Sequence, residues 1–73
     1  MSKHERIMWT VKFMDGDEEY YLFDFDDRSG YEVTDDVYTS YLFNEKEKAK
    51  EIVERYTGGE VVPVIITFGR QYK

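Results

Sequence analysis

A strict alternation of hydrophobic and polar residues opens the chain and predicts a half-buried β-strand. The apolar members of this alternation are Ile7, Trp9, Val11 and Phe13. Their period of two matches the pleat of a strand, in which successive side chains point to opposite faces. The dipeptide Asp15-Gly16 follows and is typical of a hairpin turn, so a second antiparallel strand is expected from about Glu19 to Asp26.

The second strand carries alternating aromatic residues, and its phase predicts which of them are buried. Phe23 and Phe25 fall on one face with Tyr21, whereas Leu22 falls on the other face. We therefore expect Phe23 and Phe25 to belong to the core. A turn over residues 27–30 leads to a short third strand at Tyr31–Thr34.

The segment 37–43 and the stretch that follows it have different periodicities. Segment 37–43 fits either a helical turn or an extended strand, and its β-branched and aromatic residues favour the extended form. A helix is then expected from Asn44, its predicted N-cap, to the glycine pair that begins at Gly58. Its apolar stripe is Ala49, Ile52, Val53 and Tyr56.

A last strand is predicted from Val61 to Phe68, with Pro63 near its start or at a sheet edge. Together the elements predict a small α+β domain over residues 1–73, in the order β-β-β-(β)-α-β. Its sheet would be mainly antiparallel, with three to five strands and one helix packed on one face. Residues 1–5 are expected to be disordered.

The last strand also bears on oligomeric state. Its apolar run is nearly continuous, which is typical of a strand buried on both faces. One helix covers only one face, so the strand is either central in the sheet or buried against a second copy. We expect a homodimer, with Val62, Val64 and Ile66 in the interface.

Charge divides the chain into two parts. Residues 15–36 contain ten acids and one base, Arg28, and carry a net charge of −9, while the other residues sum to +3. Two interpretations of this acidic block stay open. Acids in turns and on strand exteriors maintain solubility, or the block forms an anionic binding surface.

Composition excludes several classes of function. The net charge of −6 argues against direct binding to nucleic acid or to an anionic membrane, because phosphate contacts need clustered Lys and Arg. No cysteine is present, which excludes disulfides, thiolate metal sites and a thiol nucleophile. The polar start lacks a signal-peptide pattern, and no apolar run approaches the roughly 18–20 residues of a membrane span. We expect a cytoplasmic protein.

Candidate catalytic and metal-binding residues are few. His4, the single histidine, lies at the terminus, and no serine has an identifiable neighbouring base, so we expect no enzymatic activity, no catalytic residue and no cofactor. The segment 24–30 superficially resembles a calcium loop. However, Arg28 and Gly30 occupy wrong positions for an EF-hand, and we expect no specific metal site.

The remaining specific hypothesis is mimicry of nucleic acid by the acidic block. Carboxylates in the place of phosphates would be Asp15, Asp17, Glu18, Asp24, Asp26, Asp27, Glu32, Asp35 and Asp36. Aromatic anchors for the partner would be Tyr20, Tyr31 and Tyr38. Such a surface would attract a basic DNA-binding protein, and binding would weaken steeply with salt.

The chain resembles the small early proteins of lytic bacteriophages. The resemblance is carried by the acidic, cysteine-free composition, the hairpin, the helix opening Asn44-Glu45-Lys46-Glu47 and the closing stretch Gly58-Gly59-Glu60-Val61-Val62. Within that group it is similar in character to DNA-mimic proteins. This resemblance implies a non-enzymatic decoy in the host bacterial cell that blocks a basic host protein, such as an HU-type nucleoid protein. It transfers no residue roles, because such proteins share charge and shape.

Two other functions remain open on the sequence. One is inhibition of a host polymerase, nuclease or glycosylase through a mainly apolar interface, which would depend little on salt. The other is a structural or assembly role for the strand at 61–68, which would depend on edge pairing and not on the acids.

Overall fold

The computed structural model describes residues 5–26 and 28–67, which form one antiparallel sheet and one helix. The strand order in the sheet is β3-β2-β1-β4. The elements in chain order are β1 (Glu5–Asp15), β2 (Glu18–Asp26), β3 (Gly30–Thr34), a 3-10 turn (Val37–Thr39), α1 (Lys46–Ile52), a π-helical turn (Val53–Thr57) and β4 (Glu60–Thr67). The predicted α+β fold class is confirmed.

One cluster of apolar side chains joins the sheet to α1. Its buried members are Val11, Leu22, Phe43 and Ala49, and half-buried residues around it include Trp9 and Phe25. We call the side of the sheet that carries Val11 and Leu22 the helix face, and the other side the opposite face. The burial predicted by the alternation in β1 is confirmed for Trp9, Val11 and Phe13 and is wrong for Ile7, which is 53% exposed.

The segment after the 3-10 turn bridges β1 and β2 where their direct pairing ends. Direct pairing joins Lys12–Asp15 to Glu18–Tyr21. Beyond it, the N–H of Tyr41 donates to the carbonyl of Leu22 at 2.7 Å. Phe43 exchanges two backbone hydrogen bonds with Trp9, at 2.9 and 2.7 Å.

The extended form predicted for segment 37–43 is therefore wrong for its first part, which forms the 3-10 turn. The side chain of Asp36 caps that turn by accepting a hydrogen bond from the N–H of Tyr38. A short polar side chain before the turn offers the backbone this local partner, which competes with strand pairing.

A β-bulge at Phe23 corrects the predicted phase of β2. The pairing with β3 shifts by one residue between Leu22 and Asp24, so that Leu22 and Phe25 both reach the core. Phe25 packs edge-on against Tyr41 with ring centroids 5.2 Å apart. Phe23 is 47% exposed, so its predicted burial is wrong, whereas that of Phe25 is confirmed.

The helix begins one residue later than predicted, because Asn44 has another partner. Glu45 is the N-cap residue of α1 and makes no side-chain cap bond. The Asn44 amide oxygen instead accepts a hydrogen bond at 2.8 Å from the guanidinium of Arg6 on β1. A long-range contact therefore replaces the predicted cap and ties the helix start to the sheet.

The chain leaves the helical region through two glycines with positive φ. The N–H of Gly58 donates to the carbonyl of Val53 at 2.8 Å and closes the π-helical turn. Gly58 has φ 71° and ψ −166°, so its positive φ agrees with the prediction but its ψ is extended. A Cβ on Gly59 would lie 2.7 Å from a ring carbon of Phe13 and 2.8 Å from a methyl of Val11.

β4 lies at an edge of the sheet, beside β1, and not in its centre. Pro63 pairs with Trp9 in this edge strand, which agrees with its predicted position. Glu5 pairs with Thr67 at the other end, so the expected disorder is wrong for Glu5, while residues 1–4 lie outside the described residues. Phe68 lies outside them too.

Candidate anionic interface

The acids of the predicted binding surface fall into two groups instead of one row. The first group lies at the β1–β2 hairpin. Asp15 and Glu18 pair directly across the two strands. The charges of Asp15, Glu18 and Asp35 all act on the hydroxyl of Tyr20, so Asp35 belongs to the same group. Tyr20 pairs with Phe13, which places this group on the helix face, beyond the core.

The second group lies at the far end of β2 and on β3. Asp24 pairs directly with Glu32, and Asp26 follows two residues later on the same side of the strand. Since Phe25 points into the core, Asp24 and Asp26 point to the opposite face. We call Asp24, Asp26 and Glu32 the outer acid group.

Two members of the outer acid group also hold the local backbone. The carboxylate oxygen Oδ1 of Asp24 accepts a hydrogen bond from the N–H of Phe25 at 2.9 Å. The Oδ1 of Asp26 accepts one from the N–H of Arg28 at 2.8 Å. Asp36, the cap of the 3-10 turn, likewise has a structural task. An asparagine at these positions would keep the acceptor and remove the charge.

The other predicted acids are placed less specifically. Asp17 is an exposed residue of the hairpin turn that joins β1 to β2. Asp27 lies outside the described residues.

The predicted aromatic anchors differ in their freedom to reach a partner. Tyr38 is 73% exposed at the 3-10 turn. Tyr31 stacks on Phe13 with ring centroids 5.1 Å apart and keeps part of its ring in solvent. Tyr20 is half-buried, and its hydroxyl donates a hydrogen bond to the Glu18 carboxylate.

The acids of the hairpin raise the pKa values of two tyrosines, Tyr20 and Tyr21. The hydrogen bond from Tyr20 to the Glu18 carboxylate, and then the charge of Glu18 itself, raise the pKa of Tyr20 above its usual value of 10.0. The pKa of Tyr21 is raised in the same way by its 2.9 Å hydrogen bond to Glu19. A tyrosinate is disfavoured beside a carboxylate because both groups are negative.

Phe23 is the site residue that the sequence pattern assigned wrongly. It sits at the bulge, next to Asp24, as an exposed aromatic ring within a stretch of acids. β-bulges often re-aim a side chain next to a functional site. The signal in the sequence is that Leu22, Phe23 and Phe25 cannot all face the core of a regular strand.

The acids are arranged at some cost to stability. Like charges directly opposite each other on neighbouring strands are destabilising, and the sheet contains two such pairs, Asp15 with Glu18 and Asp24 with Glu32. On the β4 side of the sheet, Lys12 pairs with Glu60, which is the favourable combination.

The predicted dimer residues lie on the opposite face of β4. Val64 is 7% exposed and is already buried within the single chain, while Val62 and Ile66 are half-buried. Val64 therefore offers little surface to a second copy, and the interface of Val62, Val64 and Ile66 stays a prediction. The exposed apolar residue of this strand is Ile65, at 58%, on the helix face.

Within the described ranges, no group of three or more Asp, Glu or His side chains is placed to hold a metal ion. In the same part of the chain, no helix combines the length and apolar character that a membrane span requires.

Comparisons with protein-family models, with curated proteins and with solved structures gave no match to this chain.

Proposed function

We propose that this chain is a non-enzymatic decoy that binds the DNA-binding surface of a basic protein in the bacterial cytoplasm. The observation that carries the proposal is the outer acid group, in which Asp24 and Glu32 stand directly opposite each other. Solubility would be served equally well by dispersed acids. A partner with clustered Lys and Arg would turn this unfavourable pair into a favourable contact.

The density of charge is compatible with that role. Asp24 and Asp26 stand about 6.6 Å apart along β2, at roughly 3.3 Å per residue. Glu32 adds a third charge directly opposite Asp24. The outer acid group therefore holds three charges within a length that corresponds to two steps of about 3.4 Å along one strand of B-DNA.

The exposed aromatic rings supply the second element of a binding surface. Phe23 is 47% exposed and directly precedes Asp24 in the chain. Tyr38 is 73% exposed, and its N–H donates a hydrogen bond to the carboxylate of Asp36. An arginine of the partner would pair with a carboxylate and stack on a neighbouring ring.

The experiment is competition for an HU-type nucleoid protein bound to fluorescently labelled duplex DNA. We expect the chain to release the duplex, and its affinity for the HU-type protein to fall steeply with salt, because both partners give up counterions. The same titration is run with an unrelated basic helix-turn-helix repressor, which tests how general the decoy is.

A charge-matched pair of variants assigns the site. The triple variant Asp24→Asn, Asp26→Asn and Glu32→Gln keeps the backbone acceptors and removes three negative charges. We expect it to lose roughly 10- to 100-fold in affinity, at up to about 1 kcal/mol per exposed ion pair. Its control removes three charges from the helical region: Glu47→Gln, Glu51→Gln and Glu54→Gln.

Equal losses in the two triple variants would contradict the site and leave only a net-charge effect. A chain that releases the duplex from neither protein contradicts the decoy. Binding that ignores both salt and duplex would instead support an inhibitor with a mainly apolar interface.

A further inference from the structure

Within residues 5–26 and 28–67, no strand pairs with the outer edge of β4, and this edge carries no charge, although the chain as a whole is strongly acidic. No Asp, Glu, Lys or Arg occurs between Val61 and Thr67. Edge strands in natural proteins are usually protected from pairing by charged residues, by proline or by a covering element. In this strand only Pro63 offers such protection.

Hydrogen bonding within the sheet determines which backbone groups of β4 point to its free edge. Trp9 directs both its N–H and its carbonyl to Phe43, so the pair of Trp9 with Pro63 is not hydrogen-bonded. Antiparallel pairs alternate, and the backbone groups of Val61, Ile65 and Thr67 therefore point away from β1 as well. The backbone groups of Pro63 also point away from β1, so its missing N–H removes no hydrogen bond between β4 and β1.

Exposed apolar side chains lie beside the same edge. Ile7 and Ile65 are paired across β1 and β4 on the helix face, and they are 53% and 58% exposed. They extend the apolar surface up to the edge itself.

We propose that β4 pairs antiparallel with β4 of a second copy, around a twofold axis at Val64. In this register Val61 faces Thr67 of the second copy and Ile65 faces Pro63 of the second copy. Residues 61–67 are then used from end to end, and only two bonds are missing, one at the Pro63 of each copy. The resulting sheet is continuous across both copies.

Charge explains why the occupant is a second copy. The described acids of residues 15–36 lie on β2, on β3, at the β1–β2 hairpin and in the loop before the 3-10 turn. Two copies joined through β4 therefore keep these acids away from the junction, towards the two far ends of the joint sheet. A basic partner would be drawn to those ends and not to an uncharged edge. The interface is independent of the decoy function, because it uses none of its acids.

The first test is the solution mass by sedimentation equilibrium, compared with the chain mass of 8.8 kDa. We expect a dimer for the wild type. Ile65→Lys introduces a charge twice into a symmetric interface and should raise the dissociation constant at least about 100-fold. Its matched control is Val33→Lys on β3, the other edge strand, where the valine is 44% exposed; this variant should remain dimeric.

The second test needs no substitution. Amide hydrogen exchange of the wild type should show protection at Val61, Ile65 and Thr67 that disappears on dilution, because these three N–H groups point to the proposed partner. A wild-type chain that stays monomeric at high concentration overturns the proposal. So does a dimer that dissociates with Val33→Lys and persists with Ile65→Lys, or a dimer whose three amides exchange freely.

Discussion

The two edges of the sheet are protected in different ways. β3 lies within the acidic block, and its Glu32 faces Asp24 of β2. β4 is uncharged from Val61 to Thr67 and holds one proline. Charged edges repel other strands, whereas an uncharged edge is available for pairing. Under the two proposals above, the acidic edge would bind a basic partner and the uncharged edge would pair with a second copy of the chain.

The largest expected difference in stability between the two edges concerns two glycines: Gly59, which directly precedes β4, and Gly30, which is the first residue of β3. Gly59 and Gly30 both have positive φ, at 94° and 98°. Gly59→Ala forces a Cβ onto Phe13 and Val11, and we expect it to lower the free energy of unfolding by about 3 kcal/mol or more.

Gly30→Ala is the control, since nothing lies within 4 Å of its Cβ position. Only the backbone cost of about 1–2 kcal/mol should appear. Urea unfolding followed by the fluorescence of Trp9, the single tryptophan, measures both variants. Equal losses would contradict the close packing at the start of β4.

The next effect concerns the bulge of β2, beside the acidic edge. Phe25→Ala removes a ring from the core cluster and should cost about 3 kcal/mol, while Phe23→Ala removes an exposed ring and should cost less than about 1 kcal/mol. Thermal unfolding compares the two variants. If Phe23→Ala were the more damaging one, the bulge would be misplaced and the strand regular.

A smaller change, here an increase in the free energy of unfolding, is expected at Thr10 of β1, which pairs with β4. It is fully buried opposite Val62, and its hydroxyl makes no hydrogen bond to any residue that the structure describes. Thr10→Val keeps the shape and removes a buried polar group, so we expect stability to rise by about 1 kcal/mol. Thr10→Ser, which keeps the hydroxyl and loses the methyl, should lower it. A loss with valine would show that the hydroxyl has a partner in solution.

The cross-strand charge pairs should respond in opposite directions. Glu32→Gln relieves the repulsion by Asp24 and should stabilise the chain by a few tenths of a kcal/mol, while Glu60→Gln removes the attraction to Lys12 and should destabilise it by a similar amount. Both effects should shrink as salt is added, because Asp24, Glu32 and Glu60 are exposed and Lys12 is only half-buried. Effects of the same sign would contradict the charge contrast between the edges.

The smallest expected effect is a loss of stability at alkaline pH, caused by Tyr20 and Tyr21 near the hairpin. Because the pKa values of Tyr20 and Tyr21 are raised on folding, their contribution to stability is complete below pH 10.0, the usual pKa, and is lost as the pH rises through the folded values. The tyrosinate absorbance should show two late transitions, one removed by Tyr20→Phe and one by Tyr21→Phe. Tyr38→Phe should leave both in place.

Local patterns in the sequence determined the elements of this fold and its charge asymmetry. The alternation in β1, the glycine pair after the helix and the count of acids depend only on neighbours along the chain. They were sufficient to predict an antiparallel sheet with one helix and an acidic half. The family resemblance, the decoy function and the oligomeric state remain predictions.

Contacts between distant residues decided the rest. Arg6 donates a hydrogen bond to the side chain of Asn44, which therefore does not cap the helix. The bulge in β2 puts Leu22 in the core and leaves Phe23 exposed. The order of the strands puts β4 at an edge and the acids in two groups. Periodicity cannot foresee these results, because a bulge changes the phase of a strand and a hydrogen bond across 38 residues is invisible to a local window.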